Sequence, residues 1–217
     1  MLKGFLVGLA AANAFEWFAH KYVLHGVHRT GKPRVSPVPE TMKSHWEHHA
    51  LVRKQYYYDH GYVEGWSNWR TRKEIASLGA TVVVFTAISA PISKGFTAAV
   101  WYSAMNYYYV HRRSHLQPTW GKRNLPWHYD HHVNANQDAN WCVTKPWFDY
   151  VMGTRVVSCA ELKEQNPLGI RLPKLVSVAL TEIVESVFPV KSTEHNQPIF
   201  SAKPAVTREK KLSSTAA

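Results

Sequence analysis

Cysteine is scarce in this chain. Cys142 and Cys159 are its only two among 217 residues, too few for a disulfide framework. No C-x-x-C pair exists to build a thiolate zinc site, so both cysteines read as reduced thiols of a cytoplasmic part. Acidic residues are also few: 15 Asp and Glu stand against 26 Lys and Arg, a formal net charge of +11. Glu-x-x-His, the ligand pair of the soluble di-iron bundles, does not occur. A repeat of solenoid period and a nucleic-acid-binding motif are lacking too. The positive charge therefore points to an anionic membrane surface rather than to nucleic acid. The negative mean hydropathy excludes a chain built mostly of spanning helices.

What the chain has instead is aromatic residues and histidine. Nine Trp and eleven Tyr suit membrane–water boundaries, where an apolar ring keeps a polar tip wet. Residues 2–18 are apolar apart from Lys3, Asn13 and Glu16, a helix marginal for a hydrocarbon core that takes about 20 residues. A secretory signal is the competing reading, with Ala12-Asn13-Ala14 as its cleavage site. Residues 27–40 carry Gly31, Pro33, Pro37 and Pro39 and read as a loop. Thr41 then N-caps a helix through residues 45–51. Residues 56–73, aromatic and charged, read as a segment lying at a membrane surface.

The strongest apolar stretch, residues 75–110, is broken by Pro91, Ser93, Lys94 and Gly95. It predicts two helices, 75–90 and 96–115, joined by a tight turn. They form a transmembrane hairpin or, as the alternative, two buried helices of a soluble bundle. The turn carries Lys94 as its one basic residue, and the flanking regions carry nearly all the others. The positive-inside rule then places those regions, the metal site and the C-terminus in the cytoplasm. Leu175, Val176, Leu180, Ile183, Val184 and Val187 fall at helical spacing, on an amphipathic surface helix or a core-packing one. Residues 191–217 read as a disordered polar tail after a single domain over 1–190. The expected fold class is all-α: an integral-membrane helical protein with a short transmembrane hairpin and a histidine-rich helical cap facing the cytosol.

Of 13 histidines, ten form four boxes: His20 and His25; His45, His48 and His49; His111 and His115; His128, His131 and His132. Positions i, i+3 and i+4 share one face of an α-helix, so each HxxHH box can present three imidazoles to one point. His20 and His25 are five apart, roughly 140° on an ideal helix. They need a helix end or a local distortion to converge, or they reach different metals. Imidazole suits iron, zinc, copper and nickel, and one catalytic ion rarely uses more than three or four protein ligands. Ten grouped histidines therefore imply two ions. His28, His60 and His195 lie outside the boxes and read as surface residues. Glu47, between ligands, is expected to point away from them.

With these boxes the chain resembles the fatty acid hydroxylase superfamily of integral-membrane di-iron enzymes, and the spacing is most similar to that of the fatty acid 2-hydroxylases. The resemblance covers about residues 16–154. It includes HxxxxH, HxxHH, HxxxH and HxxHH in order, a long apolar interval between the second and third boxes, and Asn140-Trp141-Cys142-Val143-Thr144, Phe148-Asp149 and Gly153-Thr154. It implies that His20, His25, His45, His48, His49, His111, His115, His128, His131 and His132 ligate two iron ions, which zinc can replace in preparations. It further implies dioxygen as co-substrate and a membrane lipid whose acyl chain is hydroxylated. Asp130, Asn140 and Asp149 are candidates for orienting the imidazole N–H groups, or else turn and surface polar residues.

The first box is also similar to that of the β-carotene hydroxylases, which space the third box HxxxxH and lack the Asn…Asp…Gly-Thr segment. Sterol oxidases and desaturases are a further related group, and a membrane metal-binding protein is the alternative without catalysis. Members of the family often carry a fused cytochrome b5 domain, which this sequence lacks. Electrons are therefore expected from a separate ferredoxin- or cytochrome b5-like donor with its reductase, and no nucleic-acid partner is expected. Trp101, Tyr102, Tyr107, Tyr108 and Tyr109 line the path of the acyl chain or anchor at a membrane boundary.

Overall fold

A computed structural model describes residues 1–26, 39–134, 136–157 and 166–192. Residues 27–38 of the loop expected over 27–40, with His28, and His195 and nearly all of the tail expected from residue 191 lie outside the described residues, while Glu40, expected in that loop, is helical. The described chain is mostly helical: α1 (Leu2–Phe18), α2 (Glu40–Lys54), α3 (Gly61–Glu64), α4 (Trp69–Ser89), α5 (Lys94–Leu116), α6 (Pro118–Asn124), α7 (Pro126–Val133), α8 (Trp147–Val151) and α9 (Lys174–Val187). Strands β1 (Val156–Val157) and β2 (Lys191–Ser192) pair in parallel, so residues 191 and 192 are strand rather than tail.

Local chemistry sets the helix ends. The Asn68 side chain caps α4 by accepting from the N–H groups of Arg70 and Thr71. Ser93 caps α5 by accepting from Phe96 N–H, each filling donors a helix start leaves open. Pro118 and Pro126 open α6 and α7 at positions whose N–H has no helical partner. Helix α2 begins at Glu40 after Pro39, so Thr41 lies inside it rather than capping it.

Helices α1, α4 and α5 form the long part of the molecule, with α5 packed against both of the others. Helices α1 and α5 run the same way. A Cβ added at Gly4 would lie 3.4 Å from Phe96 N, and one added at Gly8 would lie 2.6 Å from the Ala99 Cβ. Gly8 therefore lets the two backbones approach closely. Helix α4 returns antiparallel to α5, with Ser89 and Thr97 hydroxyls 2.8 Å apart near the turn and Glu74 beside His111 at the other end. The shorter helices α2, α3, α6, α7 and α8 gather at that second end, where the histidines lie.

This arrangement corrects the expected integral-membrane class and the cytoplasmic-facing placement that rested on it. Among the described residues no helix is long and apolar enough to cross a membrane. Helix α4 spans 21 residues, but Arg70, Thr71, Arg72, Lys73 and Glu74 occupy its first turns. Helix α5 spans 23 residues and ends in His111, Arg112, Arg113, Ser114 and His115. What remains apolar in each falls short of the roughly 20 residues a hydrocarbon core takes. The same polar turns carry the histidines and their partners. The helix at residues 174–187 packs none of its residues into the core, which answers the alternative left open for it.

Candidate metal centre

The N-terminal helix is fixed by polar contacts to a segment far along the chain. Asn13 donates to Lys145 O at 2.9 Å and accepts from Phe148 N–H at 3.0 Å. Trp17 donates to the Thr154 hydroxyl at 2.9 Å. Glu16 accepts from the N–H groups of Val143 and Thr144 and from the Thr144 hydroxyl. Burial raises the Glu16 carboxyl to about 7 against the pull of those hydrogen bonds. Past Phe18 the backbone widens into a π-helical turn over Ala19–Leu24, in which His25 N–H donates to His20 O at 3.0 Å. A π turn puts residues i and i+5 on one side. This distortion brings His20 and His25 together, with ring centroids 5.0 Å apart.

The boxed histidines sort into two buried groups. His20, His25, His45, His49 and His131 each offer a ring nitrogen within 4.8 Å of the others, and His48, His111, His115 and His132 do the same. His128 joins the second group through its Nε2, 3.3 Å from His115 Nε2. Each HxxHH box is divided: His45 and His49 go to the first group and His48 to the second, while His131 and His132 part likewise. Buried histidine clusters of this kind can hold a metal ion.

Hydrogen bonds on the far side of the rings fix which nitrogen faces inward. In the first group, His20 Nδ1 donates to Trp141 O and His131 Nδ1 to Ala139 O at 2.7 Å. His49 Nδ1 lies 2.7 Å from the Gln137 carboxamide, whose oxygen, turned toward it, also accepts from Arg53 Nε at 3.1 Å. In the second group, His48 Nδ1 donates to Asp59 Oδ2 at 2.7 Å, His111 Nδ1 to Glu74 Oε1 at 2.6 Å, and His115 Nδ1 to Tyr57 O at 3.0 Å. All six rings are left with a bare Nε2 pointing inward.

Those lone pairs have nowhere to go within the protein. His20 and His45 Nε2 stand 3.0 Å apart, His45 and His49 3.1 Å, and His131 and His25 3.2 Å. The Nε2 atoms of His48, His111 and His132 are buried without a partner. Buried acceptors facing one another are costly, and a cation between them removes the cost. The residues present therefore fit a metal. Burial first, then the neighbouring imidazoles, hold His25, His45, His49, His128 and His132 well below the ordinary histidine value, which keeps the rings in their ligating neutral form.

Of the three expected orienting residues, Asp149 and Asn140 act one step out from the rings. Asp149 accepts from the N–H groups of Trp141 and Cys142 at 2.8 and 2.9 Å and from the Thr154 hydroxyl at 2.7 Å. Asn140, at φ 57°, accepts from Val156 N–H at 2.9 Å and donates to Val156 O at 2.8 Å. Together they lock the strip whose carbonyls, Ala139 and Trp141, receive His131 and His20. Asp130 is buried within α7. The direct partners Asp59, Glu74, Tyr57 and Gln137 escaped the sequence reading, since they lie in no box. Tyr56 and Tyr57 carried a signal only in the structure: both hold positive φ, 53° and 75°, a strained backbone for bulky residues that aims the Tyr57 carbonyl at His115. Glu47 is half-buried and belongs to neither group, and His60 is exposed.

A cavity of about 280 Å³ lies among α1, α4 and α5. Ala11, Phe15, Leu78, Val82, Val100 and Ala104 line its apolar length, and His20, His45, His48 and His111, two from each group, line its other end. Along α4 the lining runs from Arg70 to Phe85, about 22 Å of helix, with its charged residues Arg70, Lys73 and Glu74 at the histidine end. Tyr107 also lines it, whereas Trp101, Tyr102 and Tyr109 are exposed. Comparison of the chain with protein-family models, curated proteins and solved structures finds no match.

Proposed function

We propose that the protein is an oxygen-dependent di-iron enzyme that hydroxylates a C–H bond of a lipid acyl chain. The observation that carries this reading is the cavity: an elongated apolar space that ends on histidines of both groups. Its shape and lining suit a single hydrocarbon chain. His20, His25, His45, His49 and His131 would hold one ion, and His48, His111, His115, His132 and His128 the other. Bound iron would supply the reduction of dioxygen. One oxygen atom enters the C–H bond and the other leaves as water, with two electrons and two protons from a separate ferredoxin- or cytochrome b5-like donor and its reductase.

The chain's own residues have definable parts in this reading. The apolar walls align the substrate and exclude water near the histidines. Asp59, Glu74, Gln137 and the carbonyls of Tyr57, Ala139 and Trp141 hold the imidazoles in place.

The test is a mass-spectrometric survey of lipids from a host expressing the protein with iron and oxygen, compared with the same host expressing His132→Ala. Lipids one oxygen heavier, present only with the unaltered chain, are the expected result, and fragmentation places the hydroxyl on an acyl chain. A hydroxyl on a carotenoid ring would replace the acyl reading. No new species, despite iron-loaded protein, a matched donor and carotenoid-producing cells, would leave a metal-binding protein without catalysis.

A further inference from the structure

The two histidine groups differ in the charge of what stands behind them. The first group's outer nitrogens meet neutral acceptors: Trp141 O, Ala139 O and the Gln137 carboxamide. The second group's meet two carboxylates, Asp59 on His48 and Glu74 on His111, besides Tyr57 O. Both side chains are largely shielded from solvent, at 4% and 17% exposure. Asp59 also accepts from the Gly61 N–H at 2.7 Å. Glu74 also accepts from the Tyr62 hydroxyl, 2.8 Å away.

This asymmetry has a direct electrostatic meaning. A divalent cation in a buried all-imidazole site brings two positive charges that the ligands do not offset, and uncompensated buried charge is costly. A carboxylate on the far side of an imidazole makes that ring a stronger donor and neutralises part of the charge. Arg70, 3.1 Å from Asp59, cancels part of that residue's contribution. Glu74 meets no Lys or Arg among the described residues, so its charge is available to the site in full.

We propose that the two sites are inequivalent: the group formed by His48, His111, His115 and His132 takes up its divalent cation first and more tightly, with Glu74, and to a lesser degree Asp59, as the positioning residues responsible. This rests on the two-metal reading above. The first group, with neutral supports, fills second.

Titration of the chelator-treated full chain with Co²⁺, followed by its visible absorption and by equilibrium dialysis, tests the proposal. Two steps of different affinity are expected, with His115→Ala abolishing the tighter one. Glu74→Gln keeps an oxygen to accept from His111 and removes only the charge. It should weaken the tighter step by about 10–100-fold and leave the weaker one in place. Asp59→Asn should do the same to a smaller extent, and Gln137→Ala should move the weaker step instead. Two indistinguishable steps in the unaltered chain, or equal weakening of both steps by Glu74→Gln in a protein with unchanged circular dichroism, would overturn the proposal while leaving the two-metal reading intact. Saturation at one Co²⁺ or none would overturn that reading and the inference with it.

Discussion

His25 N–H donates to the carbonyl of His20 across a π-helical turn, so two imidazoles five residues apart face the same group of ring nitrogens. An α-helix would hold them roughly 140° apart. A π turn is in effect an α-helix with one residue inserted. Removal of Val23, which is 48% exposed, should therefore leave the two histidines four apart on one face and keep the bound metal near two ions per chain. Insertion of Ala after Val23 should turn His25 away and cost the first group its ion. Metal analysis of the two purified variants checks this, and equal metal loss in both would show that the turn is not what aligns the pair.

The cavity offers a second prediction. Ala104 lines it opposite the walls from α1 and α4. Ala104→Phe should fill the space and lower the yield of oxygenated lipid by at least about tenfold, equivalent to 1.4 kcal/mol in transition-state binding. Iron content should be unchanged, since the residue touches no ligand pair described above. Product yield measured beside metal content decides the matter. Full activity would remove the cavity from the substrate path.

Acid should destabilise the metal-free protein. Burial lowers His20, His25, His45, His48, His49, His115, His128 and His132, and His131 to about 4. Below an ordinary value near 6.5 the unfolded chain then binds more protons than the folded one. Stability is thus full above pH 6.5 and declines as pH falls, by roughly 3 kcal/mol for His131 alone on reaching pH 4. Glu16, raised to about 7 by burial, works the other way, since its contribution is lost as pH rises; the histidines outnumber it. Urea unfolding of chelator-treated protein should show a lower midpoint at pH 5 than at pH 7.5, and the reverse order would contradict the argument.

Gly8 sits where α1 meets α5. Gly8→Ala would set a Cβ 2.6 Å from that of Ala99 and 3.1 Å from Phe96 O. Neither neighbour is a flexible side-chain end, so the helices must separate. A loss of about 1–3 kcal/mol is expected, seen as a lower thermal midpoint. An unchanged midpoint would mean that the two helices adjust freely.

How much of this was legible in the sequence follows from the range of each signal. Helix α1 matches the apolar run over residues 2–18, α5 brackets the helix predicted over 96–115, and α4 covers all but Ala90 of the one predicted over 75–90, because periodicity and the break at Pro91 are local. The membrane assignment failed for a local reason too. The charged turns of α4 and the histidine end of α5 belong to the same helices as the apolar stretch, and they shorten what could lie in hydrocarbon. The ten boxed histidines converge as expected. Their division between two groups could not be read, since adjacent residues such as His48 and His49 point to different groups. Glu74 stands 37 positions from His111, a separation at which no spacing rule applies.

The clamp on the first imidazole has a consequence for biosynthesis. His20 is made well before the carbonyl that orients it, which belongs to Trp141, 121 positions later, and the Asp149 carboxylate that secures this carbonyl's strip is made later still. At ribosomal speeds of about 5–20 residues per second, the nascent chain spends several seconds with an incomplete set of ligands. Metal binding by the first group is therefore expected only after the chain has been made through Asp149, and a truncation before Asp149 should yield chains that carry all four boxes and retain no metal in the first group.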